Sequence, residues 1–262
     1  NKKASEDPGI KALLLTEMTV VTIVAKSWDF HVTDVLKVSL DENLKMVSET
    51  VEYLKSKGRE VILDAEHFFD GYKNNSRYSL KVLKAAQDSG VDTIVLCDTN
   101  GGCLPQEVEK ITGSVMGKIK VPLGIHTHND GELAVANTIA AINSGARHVQ
   151  GTINGLGERC GNANLCSVIP NLVLKNKFKC LGNSELKKLT EISRYVNEVA
   201  NFVPMANQPF VGSSAFAHKG GLHVNAIQKN KSTYEHIEPE TVGNERRILI
   251  SELSGSSNIL KK

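Results

Sequence analysis

The chain alternates between strand-like and helix-like segments from residue 19 to about residue 176, and this alternation limits the possible folds more than any other feature. Each strand-like run is short, apolar and rich in β-branched residues, as the strands of a buried parallel sheet are. Each run is followed by apolar residues at helical spacing, and the repeat of roughly 25–40 residues is that of βα units. The pattern predicts five parallel strands, at residues 19–25, 60–65, 92–97, 121–126 and 147–153.

Local signals mark where the helices begin. Ser39 and Glu42 have the spacing of a capping box, which predicts that a helix starts there. Further helices are predicted from about residue 76 and over residues 132–144. A longer amphipathic helix is predicted at residues 184–202, where several apolar residues share one face. They are Leu186, Leu189, Ile192, Val196 and Val199.

The alternation stops after Pro204, in a stretch rich in glycine, serine, proline and asparagine. We therefore predict a catalytic α/β domain over residues 1–203 and a linker subdomain over residues 204–262. Five βα units are too few to close an eight-stranded barrel, so the pattern alone leaves an open doubly wound sheet as an alternative. The glycine-rich turns lack Gly-x-Gly-x-x-Gly, which argues against a nucleotide-binding fold.

The composition is that of a soluble globular protein, with 40% hydrophobic and 23% charged residues. A net charge of +2 gives no electrostatic reason to expect binding to nucleic acid or to a membrane surface. No apolar run is long enough to span a bilayer. The five cysteines are odd in number and form no Cys-x-x-Cys pair, so we expect reduced thiols and a cytoplasmic protein.

Two histidines stand at the end of the fourth predicted strand. Alternate residues of a strand point to the same face, so His126 and His128 can both approach one metal ion while Thr127 points away. A helix follows at once, which places the pair at the carboxyl end of a strand, where α/β enzymes hold their catalytic residues. The pattern therefore favours a metal or substrate site over a pair of surface histidines.

The other predicted strands also end in polar residues. Asp64 and Glu66 share a face of the second strand, and paired carboxylates suit proton abstraction or cation binding. Thr99 follows the third strand in Asp-Thr-Asn-Gly-Gly, a sequence that could hold a substrate carboxylate but is also ordinary in turns. Asn162 follows the fifth strand and offers an amide oxygen to a metal. Together, the polar strand ends indicate one active site at this edge of the sheet.

Two motifs together resemble the family that contains isopropylmalate, homocitrate and citramalate synthases and hydroxymethylglutaryl-CoA lyase. They are His-x-His-Asn-Asp at residues 126–130 and Asn-Gly-x-Gly-Glu-Arg-x-Gly-Asn-Ala at residues 154–163. Glu132 and five further segments are similar to the long citramalate synthases within that family. These segments span residues 26–31, 64–72, 97–102, 220–226 and 242–247, so that the resemblance covers nearly the whole chain.

The resemblance implies a (β/α)8 TIM barrel, of which this chain carries about strands 4 to 8, followed by a helical linker subdomain. It implies an acyltransferase that condenses acetyl-CoA with pyruvate to give (R)-citramalate and CoA for isoleucine biosynthesis. A divalent metal ion, whether Zn, Mn, Mg or Co, would activate the oxo acid as a Lewis acid. The complete protein is expected to be a homodimer.

The resemblance also implies roles for individual residues. His126 and His128 match metal ligands, and Asn162 matches a residue that completes the metal shell. Thr99 matches a residue that hydrogen-bonds the oxo-acid carboxylate, and we assign Asp64 to substrate binding beside it. The residues that match catalytic positions are Glu66, His223 and Tyr234, the last two in the segment after the barrel.

The chain departs from the family pattern at its start. Members begin with a strand reading Asp-Thr-Thr-Leu-Arg-Asp-Gly, whose arginine polarises the reacting carbonyl and whose last aspartate binds the metal. This sequence has no such motif. We therefore expect a fragment that lacks the first three βα units and the carboxy-terminal regulatory domain, and that has little or no synthase activity alone.

Three other functions stay open. Isopropylmalate or homocitrate synthase differs from the leading interpretation in the size of the oxo-acid pocket. A metal-dependent hydrolase would also use His-x-His in a barrel, but it requires that motif on the first strand and further ligands later in the chain, which this order does not supply. A truncated, non-catalytic subunit would act by assembling with an intact one.

Overall fold

The structure, a computed structural model, describes residues 3–249 of the chain, which fall into two compact units. The first unit extends to Gly151 and includes the loop Gly157–Ala163. The second unit comprises Thr152–Leu156 and the residues from Asn164 onwards. The domain boundary predicted at residue 203 is a different division of the chain, and it stays a prediction.

The first unit is built on a parallel sheet of five strands in the order β1-β2-β3-β4-β5. Its strands are β1 (Val20–Lys26), β2 (Glu60–Glu66), β3 (Thr93–Asp98), β4 (Leu123–Thr127) and β5 (His148–Gln150). Its helices are α1 (Pro8–Leu15), α2 (Leu40–Ser56), α3 (Phe68–Asp88), α4 (Pro105–Met116) and α5 (Ala134–Asn143), with a π-helical turn at His31–Leu36 and a 3-10 turn at Ala4–Glu6. The predicted α/β class and all five predicted strands are confirmed.

Apolar residues on the outer side of the strands hold the helices against the sheet. On β2, Val61, Leu63 and Ala65 are fully buried on the side opposite to the polar strand-end residues. From α4, Val108 and Val115 are fully buried at helical spacing. Each fully buried valine or leucine side chain contributes about 1.5–3 kcal/mol relative to an exposed one. This layer therefore fixes the strands and, with them, the positions of the strand ends.

Helix α3 begins at Phe68, well before the predicted start near residue 76. Phe68 and Phe69 are fully buried, and their rings meet edge to face with centroids 5.8 Å apart, so tertiary packing extends the helix towards β2. The helix is kinked at Asn75, whose side-chain oxygen accepts a hydrogen bond of 3.1 Å from the backbone N–H of Tyr78. Asn75 therefore caps the second half of the helix, which explains why the local pattern indicated a start there.

The sheet is curved, so that side chains of distant strands meet on its inner surface. The Gln150 side chain at the end of β5 donates a hydrogen bond of 2.7 Å to Asp64 of β2. Two strands lie between them, and three strand spacings of about 4.8 Å make about 14 Å in a flat sheet. Only a strongly curled sheet, like the wall of a barrel, brings these two side chains into contact.

Strand β1 forms one edge of this sheet, since within residues 3–249 it pairs with β2 alone. Two of its valines are exposed, Val20 to 42% and Val24 to 64%. An edge strand presents unpaired backbone N–H and C=O groups. In the part of the chain that the structure describes, the wall of the barrel is therefore open on this side.

The second unit, in its described part, combines four short α-helices with a two-stranded parallel sheet. Its elements are α6 (Leu165–Pro170), α7 (Asn183–Leu186), α8 (Leu189–Val199), β6 (Ala217–His218), α9 (Gly221–Lys229) and β7 (Arg247–Ile248). Its core is a cluster of buried apolar side chains: Cys166, Leu186, Leu189, Phe210, Val211, Phe216 and Val242. None of the helices found between residues 3 and 249 combines the length and apolar character needed to cross a membrane.

The long helix predicted at residues 184–202 is divided into α7 and α8. Leu186 and Leu189 are buried as predicted, but further along α8 the buried face departs from the predicted one. Ile192 is 40% and Val199 is 70% exposed. Thr190 is buried instead, and its hydroxyl donates a hydrogen bond of 2.7 Å to the carbonyl of Val242. A hydrogen-bonded polar group can be buried, so this contact allows Thr190 to lie inward beside Leu189.

Candidate metal centre

His126 lies in β4 and His128 directly follows it, so both predicted metal-binding histidines lie at the carboxyl end of the sheet. The ring centroids of His126 and His128 lie 5.2 Å apart. The intervening Thr127 points the other way, where it is buried and donates a hydrogen bond of 3.0 Å to the carbonyl of Ala134. The two-residue period of the strand thus brings the two imidazole rings together.

The loop Gly157–Ala163 places Asn162 beside His128. The two residues form an isolated antiparallel β-bridge. The loop is also anchored to the strand end, because the N–H of Ala163 donates a hydrogen bond of 3.0 Å to the carbonyl of Thr127. The three predicted metal ligands are therefore neighbours in the structure.

Two polar atoms of this group are buried without a hydrogen-bond partner among the described residues, namely Nδ1 of His128 and Oδ1 of Asn162. Leaving such an atom unsatisfied costs about 1–3 kcal/mol, and both atoms have a lone pair that a cation could accept. Imidazole nitrogen and amide oxygen suit several divalent metals, so the residues fit such an ion. Within residues 3–249, no group of three or more His, Cys, Asp or Glu side chains could hold a metal. The two histidines and the asparagine would therefore form only part of a metal shell.

Electrostatics favour the form of His128 that binds metals. Burial lowers the pKa of this imidazole below its ordinary value, and the neighbouring His126 and Arg159 lower it further. Asp130 and Glu158 act weakly in the opposite direction. The neutral ring, which has a lone pair for a metal ion, is thus the favoured form.

A glutamine that the motif analysis did not single out connects two of the predicted site residues. Gln150 is the register partner of His126 in the neighbouring strand, and its Oε1 lies 2.9 Å from Nδ1 of His126. Its Nε2 donates a hydrogen bond of 2.7 Å to Asp64. Burial raises the pKa of Asp64 above its ordinary value, and the hydrogen bond from Gln150 partly offsets this rise. The sequence feature that could have indicated Gln150 is a polar residue at an inward-facing position of a predicted strand.

Glu66 ends β2 and forms an ion pair with Lys26, its register partner at the end of β1. The two side chains remain 26% and 23% exposed, so the ion pair is partly accessible to solvent. The hydroxyl of Ser27 donates a hydrogen bond of 2.7 Å to the carbonyl of Glu66 and holds the end of the strand. Lys26 is therefore a further candidate site residue, which no sequence motif indicated by itself.

Thr99 lies in the turn after β3. Its hydroxyl oxygen accepts a hydrogen bond of 2.8 Å from the backbone N–H of His67, so the hydroxyl hydrogen remains available to donate to a ligand. Its carbonyl accepts a hydrogen bond of 2.7 Å from Arg159, which also pairs with both carboxylate oxygens of Asp130. These hydrogen bonds hold the pKa of the Asp130 carboxyl below its ordinary value. They also tie the turn to the loop that carries Asn162.

Gly101 in the same turn has a φ of +63° and no space for a side chain. A Cβ atom there would lie 2.7 Å from Oδ2 and 2.9 Å from the backbone nitrogen of Asp130. We expect Gly101→Ala to lower the free energy of unfolding by about 1–3 kcal/mol, because the strained φ and the steric overlap add. Gly102→Ala is the matched control, since a Cβ at that position meets nothing within 4 Å. Urea unfolding that finds the two variants equally stable would contradict the steric explanation.

The other two predicted catalytic residues, His223 and Tyr234, lie in the second unit. His223 is exposed on α9, and Tyr234 follows the 3-10 turn Lys231–Thr233 and is 49% exposed. Their rings are stacked, with centroids 4.1 Å apart and planes inclined by 27°. The structure brings these two residues together, and their part in catalysis stays a prediction. The same holds for the roles of the six site residues in the first unit.

Curated relatives are similar to the chain along its whole length. The chain is 58% identical over 263 residues to the (R)-citramalate synthase of Aquifex aeolicus (strain VF5), which covers 100% of this chain and 50% of that protein. The (R)-citramalate synthase of Geobacter sulfurreducens is 57% identical over 257 residues, covering 98% of this chain and 49% of that protein. The probable 2-isopropylmalate synthase of Methanopyrus kandleri is 36% identical over 253 residues, with 97% and 50% covered. The chain spans about half the length of these relatives.

Solved structures of lower sequence identity share the fold. The HMG-CoA lyase of Bacillus subtilis is 18% identical with a TM-score of 0.65, covering 76% of this chain and 70% of that chain. The hydroxymethylglutaryl-CoA lyase of Pseudomonas aeruginosa is 19% identical with a TM-score of 0.63, covering 74% and 67%. This likeness concerns the fold alone, and together with the open five-stranded sheet it confirms the predicted partial TIM barrel.

Family models match the chain in two parts. The model of the HMGL-like family matches residues 3–196. A second model, described as homocitrate synthase post-HMGL domain-like, matches residues 210–262. Because the first of these matches accounts for most of the chain, and the motifs at the strand ends indicated the same relationship, the chain belongs to the HMGL-like family.

Proposed function

We propose that the chain carries the oxo-acid site of an acyltransferase that condenses acetyl-CoA with pyruvate to give (R)-citramalate and CoA, a step towards isoleucine. The observation that carries this proposal is the pair of buried, unpartnered atoms on His128 and Asn162, in a chain 58% identical to an (R)-citramalate synthase. The probable 2-isopropylmalate synthase and the homocitrate synthase AksA of Methanopyrus kandleri are 36% and 34% identical. Five (R)-citramalate synthases are 49–58% identical to the chain, which favours pyruvate over larger oxo acids.

The oxo acid would be bound at the ends of β3 and β4. His126, His128 and Asn162 would hold a divalent metal ion, which when bound supplies a Lewis acid for the ketone of the oxo acid. Thr99 would donate its remaining hydroxyl hydrogen to the carboxylate of pyruvate, because its oxygen already accepts from a backbone N–H. Asp64 would form the adjoining wall of the site.

The acetyl group would be activated at the end of β2. Glu66 would accept a proton from the methyl group of acetyl-CoA, and the resulting carbon nucleophile would attack the ketone carbon of pyruvate. The C=O π electrons would move to the ketone oxygen, and this alkoxide would take up a proton to give the hydroxyl group of citramalate. Hydrolysis of the thioester would then release CoA. Lys26 would keep the Glu66 carboxylate in place through their ion pair. From the resemblance alone, we also propose that His223 and Tyr234 act in catalysis and that the complete protein is a cytoplasmic homodimer.

The test is whether the metal-loaded chain binds pyruvate. Mn2+ broadens the NMR lines of nuclei close to it, so pyruvate bound beside the ion should show a broadened methyl line. We expect the methyl line of pyruvate to broaden at a lower concentration of the Mn2+-loaded, 262-residue chain than the methyl lines of 2-oxoisovalerate and acetate. Free Mn2+ and a His126→Ala, His128→Ala double variant are the controls.

Each outcome of this test distinguishes between functions. Equal broadening by the chain and by the double variant would contradict a metal and oxo-acid site at the two histidines. Stronger binding of 2-oxoisovalerate would favour isopropylmalate synthase instead. The chain alone is expected to release little or no CoA from acetyl-CoA and pyruvate, and release at the normal rate of a synthase would refute that expectation.

A further inference from the structure

Gln150 lies between Asp64 and His126 on the inner surface of the curved sheet. Its Nε2 is 2.7 Å from an oxygen of Asp64, and its Oε1 is 2.9 Å from Nδ1 of His126. All three side chains are half-buried. Gln150 and His126 are register partners of β5 and β4, so the backbone itself keeps their side chains next to each other.

The chemistry of the three groups sets the direction of both hydrogen bonds. A carboxylate has only acceptor atoms, so Asp64 takes an N–H of the Gln150 amide and turns the amide oxygen towards His126. An amide oxygen also accepts only, so Nδ1 of His126 must carry a hydrogen. In a neutral imidazole ring, Nε2 then holds the lone pair.

We propose that Gln150 is a positioning residue that holds His126 in the tautomer with hydrogen on Nδ1 and so presents Nε2 to a metal ion. Asp64 orients Gln150 for this purpose, in addition to the substrate contact predicted from the sequence. The proposal deepens the function proposed above and rests on it where the metal is concerned. The tautomer itself can be measured without any metal.

The general behaviour of metal sites supports this assignment. Histidines that bind metals commonly donate their second ring N–H to an acceptor, and loss of such a partner lowers metal affinity by about 10–100-fold. His128 differs from His126, since its Nδ1 is buried and finds no partner among the described residues. Removal of the Gln150 amide should therefore affect His126 and leave the tautomer of His128 unchanged, which makes His128 an internal reference.

The experiment measures the tautomer of His126 by two-dimensional 15N–1H NMR of the metal-free, 262-residue chain, at a pH where the spectrum shows a neutral ring. Gln150→Met removes the amide and keeps the side-chain length. Gln106→Met, at an exposed position of α4, is the matched control. A double variant, Asp64→Asn with Gln150→Glu, reverses donor and acceptor between positions 64 and 150 and still leaves an acceptor facing Nδ1 of His126. Zn2+ titration calorimetry of the same four proteins gives the affinity.

We expect the Nδ1–H tautomer in the wild-type chain, in the control and in the double variant, and a shift towards Nε2–H in Gln150→Met. Zn2+ affinity should fall by about 10–100-fold in Gln150→Met and recover in the double variant. An Nε2–H tautomer in the wild-type chain, or an unchanged tautomer in Gln150→Met, would overturn the proposal. If the wild-type chain bound neither Zn2+ nor the Mn2+ of the pyruvate test, the proposed function would fail, and the tautomers would still decide the role of Gln150.

Discussion

Replacing His126 and His128 by alanine together is expected to lower the Zn2+ affinity of the chain by more than about a hundredfold. Loss of one hydrogen-bond partner of a metal-binding residue already lowers metal affinity by about 10–100-fold. This double substitution removes two direct ligands. Asn162 would remain as a neutral oxygen donor, which is too little for tight binding of a divalent ion. Titration calorimetry of the wild-type and variant chains at the same pH measures the effect.

His148→Ala is the matched control for this experiment. His148 lies on β5, next to β4, and its side chain faces Gly124 on the neighbouring strand. This variant removes an imidazole from the same part of the sheet and should retain the Zn2+ affinity within a few-fold. Equal losses of affinity in the two experiments would show that the ion binds elsewhere or without specificity.

Phe68→Ala is expected to lower the free energy of unfolding by about 3–5 kcal/mol, because it removes a large aromatic side chain from a closed core. Phe68 is fully buried, and its ring lies with centroids 5.8 Å from Phe69 and 5.6 Å from Tyr72. It is also the first residue of α3, two residues after Glu66. The substitution should therefore loosen the turn that places the proposed base. Urea unfolding of the chain measures the change in stability.

Phe30→Ala provides the comparison for the loss of Phe68. Phe30 is 51% exposed and contacts Trp28 with ring centroids 5.3 Å apart. Its removal should cost less than about 1 kcal/mol, as is usual for a largely exposed side chain. A cost as large as that of Phe68→Ala would mean that burial is not the reason for the effect.

Most of the first unit could be predicted because its signals are local. A β-branched run forms a strand where the fold buries it, and the two-residue period then decides which side chains share a face. His126 and His128 were paired on this ground alone, and the structure places their rings 5.2 Å apart. Glycines and capping residues likewise act within a few positions of the helix or turn that they end.

The contacts that organise the candidate site could not be predicted from spacing. Gln150 and Asp64 are 86 residues apart and meet because the sheet curls. Lys26 and Glu66 are 40 residues apart and meet because β1 and β2 pair in one particular register. A strand pattern predicts that a strand exists, but it carries little information about register or curvature.

The orientation of α8 shows the same limit for a helix. Of the residues that the apolar spacing placed inward, Leu186 and Leu189 are buried, whereas Ile192 and Val199 are exposed. Thr190 is buried although the pattern did not indicate it. The hydroxyl of Thr190 finds a carbonyl acceptor in Val242, which lies 52 residues away in the sequence. The apolar pattern shows which residues of a helix can be buried. Which residues are buried also depends on the contacts and hydrogen-bond acceptors that distant segments supply.

By itself, the sequence determined the order of strands and helices, the polar residues at the strand ends and the family. Each of these depends on residues that lie close together along the chain. Only the tertiary structure decided that Gln150 connects Asp64 to His126 and that Lys26 pairs with Glu66. It also decided that Nδ1 of His128 and Oδ1 of Asn162 are buried without a hydrogen-bond partner among the described residues. Such contacts depend on curvature, register and burial, which arise when distant segments pack together.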